Sequence, residues 1–312
     1  MTAATGASHP DDEFHPPTSE DPYWTETCWF TFAVPERRLS GQLYPFFRPN
    51  QKVCAGAAYV WDESGYMPWT VRYGKNFWHL PLPDQPLSAL SLPNGMRYRC
   101  LEPLHRYELS YEDPDGDDLH IRLTYASLAP PNYLGQSHLD QPGRYTGEII
   151  LDGERMAVDS FGFRDRSWGV RSQFGPGFGS GGYTYATVGA GHGFHTITMD
   201  TGSGYSSIHG YLMRDGKWAK LRSATRAVVR SGETGFPYQV AVEGEDEDGR
   251  GFSAHGRCLN HIALHLNPNL FTVNSLTEWE LDGVHCYGED HDNWSAAGAR
   301  RFFRSYPLNA AP

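Results

Sequence analysis

An all-β chain of many short antiparallel strands, folded as a sandwich or barrel, is predicted by three observations: recurrent period-two alternation, Asp-Gly pairs between the alternating runs, and a strand-favouring composition. Aromatic residues make up 14% of the chain, beside 34 Gly and 22 Pro, a mixture that suits strands and tight turns better than helices. Apolar positions at 3.6-residue spacing are scarce, and no period of 20 to 50 residues repeats, so a propeller or solenoid is disfavoured.

The strands follow in order. "CWFTFAV" (28–34), "SGQLYPFF" (40–47) and "VCAGAAYVW" (53–61) come first, then "RYELSYE" (106–112) and "LHIRLTYASL" (119–128). In the last of these Leu119, Ile121, Leu123 and Tyr125 share one face and His120, Arg122 and Thr124 the other, the pattern of a half-buried strand. "YTGEIIL" (145–151) closes the first series, and "GGYTYATV" (181–188), "FHTITMD" (194–200), "SSIHGYLM" (206–213), "PYQVAVEG" (237–244) and "TVNSLTEWEL" (272–281) form the second. Hairpin turns are predicted at 114–118, 151–155, 214–218 and 246–250, where an Asp-Gly pair supplies positive φ cheaply.

The glycine-rich stretch at 169–185 marks the domain boundary. It gives a loose N-terminus over 1–20, a first all-β domain over 21–170 and a second over 171–312. A chain of 312 residues is long enough to bury two such cores.

With 26 Lys+Arg against 37 Asp+Glu, the net charge of −11 leaves no basic stripe for a phosphate backbone, so no nucleic-acid partner is expected. No run approaches the roughly 18 apolar residues of a membrane span, and the first residues lack a signal-peptide pattern. The expectation is therefore a cytoplasmic protein. Five scattered cysteines with no CxxC pair suggest reduced core thiols.

The densest chemistry lies in "FGFRDRSWGVR" (161–171). If this stretch is extended, Asp165 shares a face with Phe161 and Phe163, while Arg164, Arg166 and Trp168 take the other. A carboxylate on an apolar face either pairs with a cation or takes up a proton. Asp165 is thus either part of a structural network with Arg164 or Arg171, or a general acid. His138, Tyr145 and Glu148 lie just upstream, where adjacent strands can bring them towards Asp165. His192 with His195, His261 with His265 in a possible single helical turn, and the acidic runs "DPDGDD" and "GEDHDN" are weaker as ligand sets. Solvated turns account for both runs, and no metal is expected. The sequence carries neither a G-x-S-x-G elbow nor a phosphate loop placed between strand and helix, so no nucleotide cofactor is expected.

The segment "GRYTGEIILDGERMAVDSFGFRDRSWGVR" resembles the hydroxyneurosporene synthase (carotenoid 1,2-hydratase) and AttH-like superfamily, in particular a bacterial branch with an arginine-aspartate-x-serine-tryptophan-glycine signature. "ETCWFTFAVPERRLSGQLYPFFRPN", "SHLDQPGRYTG" and "LTEWELDGVHCYGEDHDNW" extend the similarity over most of the chain from about residue 20. The resemblance implies two lipocalin-like (calycin-like) barrels with an apolar ligand cavity, and hydratase, lyase, isomerase or cyclase chemistry without a redox cofactor. It places the signature on Arg164, Asp165, Ser167, Trp168 and Gly169.

Together these readings give an expected enzyme acting by acid–base chemistry on a bulky hydrophobic terpenoid, steroid-like or polyketide-like substrate. Asp165 is the proton donor, tuned by Arg164, and His138 or Glu148 handles the second proton. Trp168, Arg171, Tyr145, Tyr183 and Trp279 line the substrate site, with aromatic faces turned to a developing cation. The rival reading is a non-catalytic lipid or terpenoid carrier.

Overall fold

The computed structural model describes residues 9–116, 118–174 and 179–306. Asp117 of the turn expected at 114–118 and residues 175–178 of the expected boundary stretch lie outside the described residues, as do residues 1–8 of the N-terminal segment. Strand makes up 64% of the described residues and helix 6%, so the fold is all-β with two barrel-like domains.

Chain contacts divide the protein into two compact units, residues 1–34, 41–60 and 73–172 in the first and 35–40, 61–72 and 173–312 in the second. The first sheet contains β1 (Trp24–Val34), β2 (Leu39–Arg48), β3 (Val53–Trp61), β4 (Tyr73–Pro81), β5 (Ala89–Ser91) and β6 (Met96–Glu102). It continues with β7 (Arg106–Glu112), β8 (Leu119–Ser127), β9 (Asn132–Tyr133), β10 (His138–Leu151) and β11 (Glu154–Val170). Its order is β4-β3-β2-β1-β11-β10-β8-β7-β6-β5, with β9 paired to β10, and it curls into a half-barrel.

The second sheet contains β12 (Ser180–Gly189), β13 (His192–Asp200), β14 (Tyr205–Arg214), β15 (Lys217–Arg230), β16 (Pro237–Asp246), β17 (Gly251–Cys258), β18 (Ile262–Asn267), β19 (Leu270–Leu281) and β20 (Val284–Trp294). Pairing of β17 with β19 closes eight of these strands into an antiparallel barrel, which removes their free edges. A short helix, α1 (Ala296–Ser305), follows, its first turn capped by the Ser295 hydroxyl accepting from the Gly298 N–H.

The Asp-Gly pairs do what their backbone preference dictates. Asp152 and Gly153 take φ of 52° and 81° and join β10 to β11, Asp215 and Gly216 join β14 to β15, and Asp282 and Gly283 join β19 to β20. Positive φ at both central residues gives the turn twist that matches the twist of the strands. The burial of β8 alternates as its sequence requires, with Leu119, Ile121, Leu123 and Tyr125 all inside.

Inside the half-barrel an aromatic ladder runs from strand to strand. Tyr98 stacks on Tyr107 at 5.4 Å, Tyr107 lies 5.9 Å from Tyr125, and Tyr125 meets Tyr145 edge-on at 5.1 Å. Gly143 and Gly162 face each other across β10 and β11, and a side chain there would strike the Tyr125 and Tyr145 rings, respectively. Glycine is needed at these two places for space. The barrel interior is packed by Phe194, Leu212, Val240, Val242, Phe252, Trp279 and Leu281 among others.

Two local expectations are corrected. Residues 289–292 of "GEDHDN" form no solvated turn: they lie within β20 and are buried. His265 is on β18 with His261 just before it, so their spacing belongs to extended backbone and not to a helical turn.

Candidate functional site

The hairpin of β10 and β11 sets the site by register. Positions equidistant from the Asp152–Gly153 turn face each other, so Asp140 is opposite Asp165 and His138 opposite Ser167. On the far side of β11, β1 places Trp29 opposite Asp165 and Thr27 opposite Ser167. Alternation therefore gathers His138, Asp140, Asp165, Ser167, Thr27 and Trp29 on one face of three neighbouring strands.

His138 Nε2 lies 3.0 and 2.9 Å from the two oxygens of Asp140, whose side chain is completely buried. One ligand-type atom from each of His138, Asp140 and Asp165 falls within 4.8 Å of the others, compact enough to hold a cation. Burial alone would lower the imidazole pKa. The Asp140 carboxylate, seconded by Asp165, outweighs burial and the opposing Arg171, and the His138 pKa is raised.

Arg171 donates to the Ser167 hydroxyl, which shares a 2.7 Å hydrogen bond with the Thr27 hydroxyl. Burial, and secondarily the Asp165 charge, push the Tyr44 phenol up against the opposing pull of Arg171, so Tyr44 stays a proton-bearing group beside the cluster.

One expected result follows from the raised His138. Its midpoint, followed by NMR of the ring protons, lies above the ordinary value near 6.5, and Asp140→Asn moves it down. The ion pair's contribution to stability is complete below that ordinary value and is lost as pH rises through the folded midpoint. A wild-type midpoint at or below 6.5 would contradict the assignment.

Of the residues expected at the site, the structure brings together Asp165, His138 and Arg171. Arg164 is turned to the opposite face, where its buried guanidinium lies 4.3 Å from the Tyr107 ring centre and 3.5 Å from Asp12. It cannot tune Asp165 by contact. Trp168 is on that same opposite face, stacked at 3.8 Å on His15. Tyr145 is a core residue whose hydroxyl donates to the Phe163 carbonyl at 2.6 Å. Glu148 is ten positions from His138 along β10, about 33 Å at strand rise, and pairs with Arg155 near the hairpin end.

In the second unit, Trp279 belongs to the barrel core, edge-on to Phe194 at 5.6 Å. Tyr183 is nearly buried between His195 at 4.7 Å and His291 at 5.5 Å. His138 is the first residue of β10. Asp140 and Tyr44 are not among the residues that the sequence singles out. The signal for Asp140 was present: it lies two residues from His138, hence on the same strand face, and the 151–155 turn fixes its register opposite Asp165.

No helix among the described residues is long and apolar enough to cross a membrane. A search of curated protein sequences finds no match. Solved structures share the fold: an AttH candidate from Nitrosomonas europaea matches 94% of this chain and 97% of its own at 13% identity and a TM-score of 0.62. CghA matches 88% of each chain at 13% identity and a TM-score of 0.58. Kievitone hydratase from Nectria haematococca matches 87% of this chain and 89% of its own at 8% identity and a TM-score of 0.53. A domain family described as of unknown function, DUF7064, matches residues 8–294, nearly the whole length, and the chain belongs to that family.

Proposed function

We propose that this protein is a cofactor-independent acid–base enzyme of the hydratase or lyase type, acting on an alkene or tertiary alcohol within a bulky hydrophobic molecule. The observation that carries the reading is the His138–Asp140–Asp165 cluster, two carboxylates facing each other in register beside an imidazole whose pKa the Asp140 carboxylate raises against burial. A fold shared with kievitone hydratase supports the reaction class as an analogy.

The proton inventory closes. The imidazolium proton of His138 passes to Asp165 and from there to one alkene carbon, while the π electrons form the new C–H bond and leave a cation on the neighbouring carbon. The cluster gains one negative charge at that moment and stabilises the cation electrostatically. Trp29, opposite Asp165 on β1, adds an aromatic neighbour on the same face. Water oxygen then attacks the cation, and its surplus proton returns to the His138 imidazole. Dehydration is the same sequence reversed.

The experiment is incubation with terpenoid, steroid-like and polyketide-like alkenes in deuterated water, with and without a chelator, followed by mass spectrometry. Deuterium on a product carbon, retained with the chelator and lost in Asp165→Asn, is the expected result. Binding without incorporation, unchanged by Asp165→Asn, would mark the protein as a carrier for those ligands. Loss of incorporation with the chelator would assign the cluster to a metal ion.

A further inference from the structure

The half of the signature that the proposed chemistry does not use holds a segment of the chain itself. Arg164, Arg166 and Trp168 alternate with Asp165 and Ser167, so their side chains lie on the inner face of β11. All three reach residues 9–16, which carry no strand. Arg166 donates to the backbone carbonyls of Asp11 at 2.5 Å and Glu13 at 3.3 Å, and pairs with buried Glu26 at 2.5 Å. Glu26 also accepts from the His15 N–H at 2.6 Å, and the His15 ring stacks on Trp168.

The key contact is Asp12, whose side chain is completely buried. Its Oδ1 accepts from the Tyr107 hydroxyl at 2.7 Å, its Oδ2 from the Leu104 N–H at 2.7 Å, and Arg164 supplies the countercharge at 3.5 Å. These groups come from β7, the β6–β7 turn and β11, about 90 to 150 positions away in sequence. Each is held independently of Asp12. Arg164 lies over the Tyr107 ring, Tyr107 is stacked on Tyr98, and Leu104 has a φ of 55°, which sets the direction of the turn. A hydroxyl, a backbone N–H and a guanidinium converging on two carboxylate oxygens form a receptor for a carboxylate.

We propose that Tyr107, the Leu104 N–H and Arg164 form a carboxylate-binding site whose resident ligand is the chain's own Asp12, making residues 9–16 a displaceable clasp. The foreign ligand class is a small monocarboxylate, and acetate reproduces the methylene and carboxylate of the aspartate side chain. This site faces away from the His138–Asp140–Asp165 cluster and does not depend on the function proposed above.

The test uses the full chain with Asp12→Gly, followed by thermal unfolding at constant ionic strength with acetate, acetamide or chloride. Acetate raises the melting temperature saturably, by roughly 3 °C at tenfold excess over its dissociation constant. Acetamide and chloride do not, wild type does not respond, and Arg164→Met in the Asp12→Gly background abolishes the effect. A folded Asp12→Gly protein with no acetate-specific shift overturns the site. Should that variant fail to fold, Asp12→Asn replaces it, since the amide fills the space and loses the charge. Faster proteolysis within residues 9–20 and an acetate-specific stabilisation are then expected, and wild-type resistance with no acetate response overturns the proposal.

Discussion

Arg226→Met is expected to cost about 3–5 kcal/mol of stability, the loss typical of removing one partner from a buried ion pair. Arg226 grips Asp290 with two nitrogens, Nε to Oδ1 at 2.9 Å and Nη2 to Oδ2 at 2.6 Å, and touches Asp292 at 3.3 Å. Arg230 takes the second carboxylate at 2.6 Å, and the Thr184 hydroxyl and Trp294 indole N–H donate to Asp290 and Asp292, respectively. Two cations and two anions balance. Methionine fills part of the space but leaves two fully buried carboxylates sharing one guanidinium. Arg222→Met, which breaks an exposed pair with Glu245, is expected to change stability by less than about 1 kcal/mol. Equal shifts of the urea midpoint in the two variants would show that the internal cluster is not what holds β15 to β20.

The acid side of the same cluster has a defined sign. Burial would raise the Asp292 pKa, but Arg230 and Arg226 overcome it and hold the carboxyl below the usual carboxylate range. Its contribution to stability is therefore complete above the unfolded value near 3.9 and is lost as pH falls through the lower folded value. In Arg226→Met that loss begins at higher pH, so the acid unfolding midpoint moves up.

This cluster also shows where reading the sequence stops. Short apolar alternation is a local property, and β8, β13 and β19 declare themselves by it. β20 carries Glu289, Asp290, His291 and Asp292 in succession, which by local rules is a solvated turn. It is a buried strand only because Arg226 and Arg230 arrive from more than 60 positions upstream. Charge neutralised at that distance leaves no local trace, and the same is true of Asp12, whose receptor is assembled from three distant pieces.

Asp165 was legible for the converse reason. Alternation within one strand sorts it from Arg164 and Arg166, and the observed register keeps that sorting along the paired length of β11. The error concerned neighbours: proximity in sequence suggested that Arg164 tunes Asp165, whereas consecutive residues of a strand point to opposite faces. The group that does share a face with Asp165 sits across the hairpin at Asp140.

Asp140→Asn is for that reason expected to lower turnover by about 10²–10⁴-fold on any substrate that takes up deuterium, the range of a lost general acid–base function. Asparagine keeps the shape of the side chain but removes the charge that opposes the burial of the His138 imidazolium. The imidazole pKa then falls, and less of the protein carries the transferable proton at neutral pH. The activity of the variant should accordingly be recovered in part on acidification, with the basic limb of its rate profile displaced to lower pH. Glu148→Gln, at the far end of β10 and paired with Arg155, leaves rate and profile unchanged. A merely structural Asp140 would lower the melting temperature and the amount of active protein but leave the basic limb in place. That limb therefore separates a proton reserve from a packing contact.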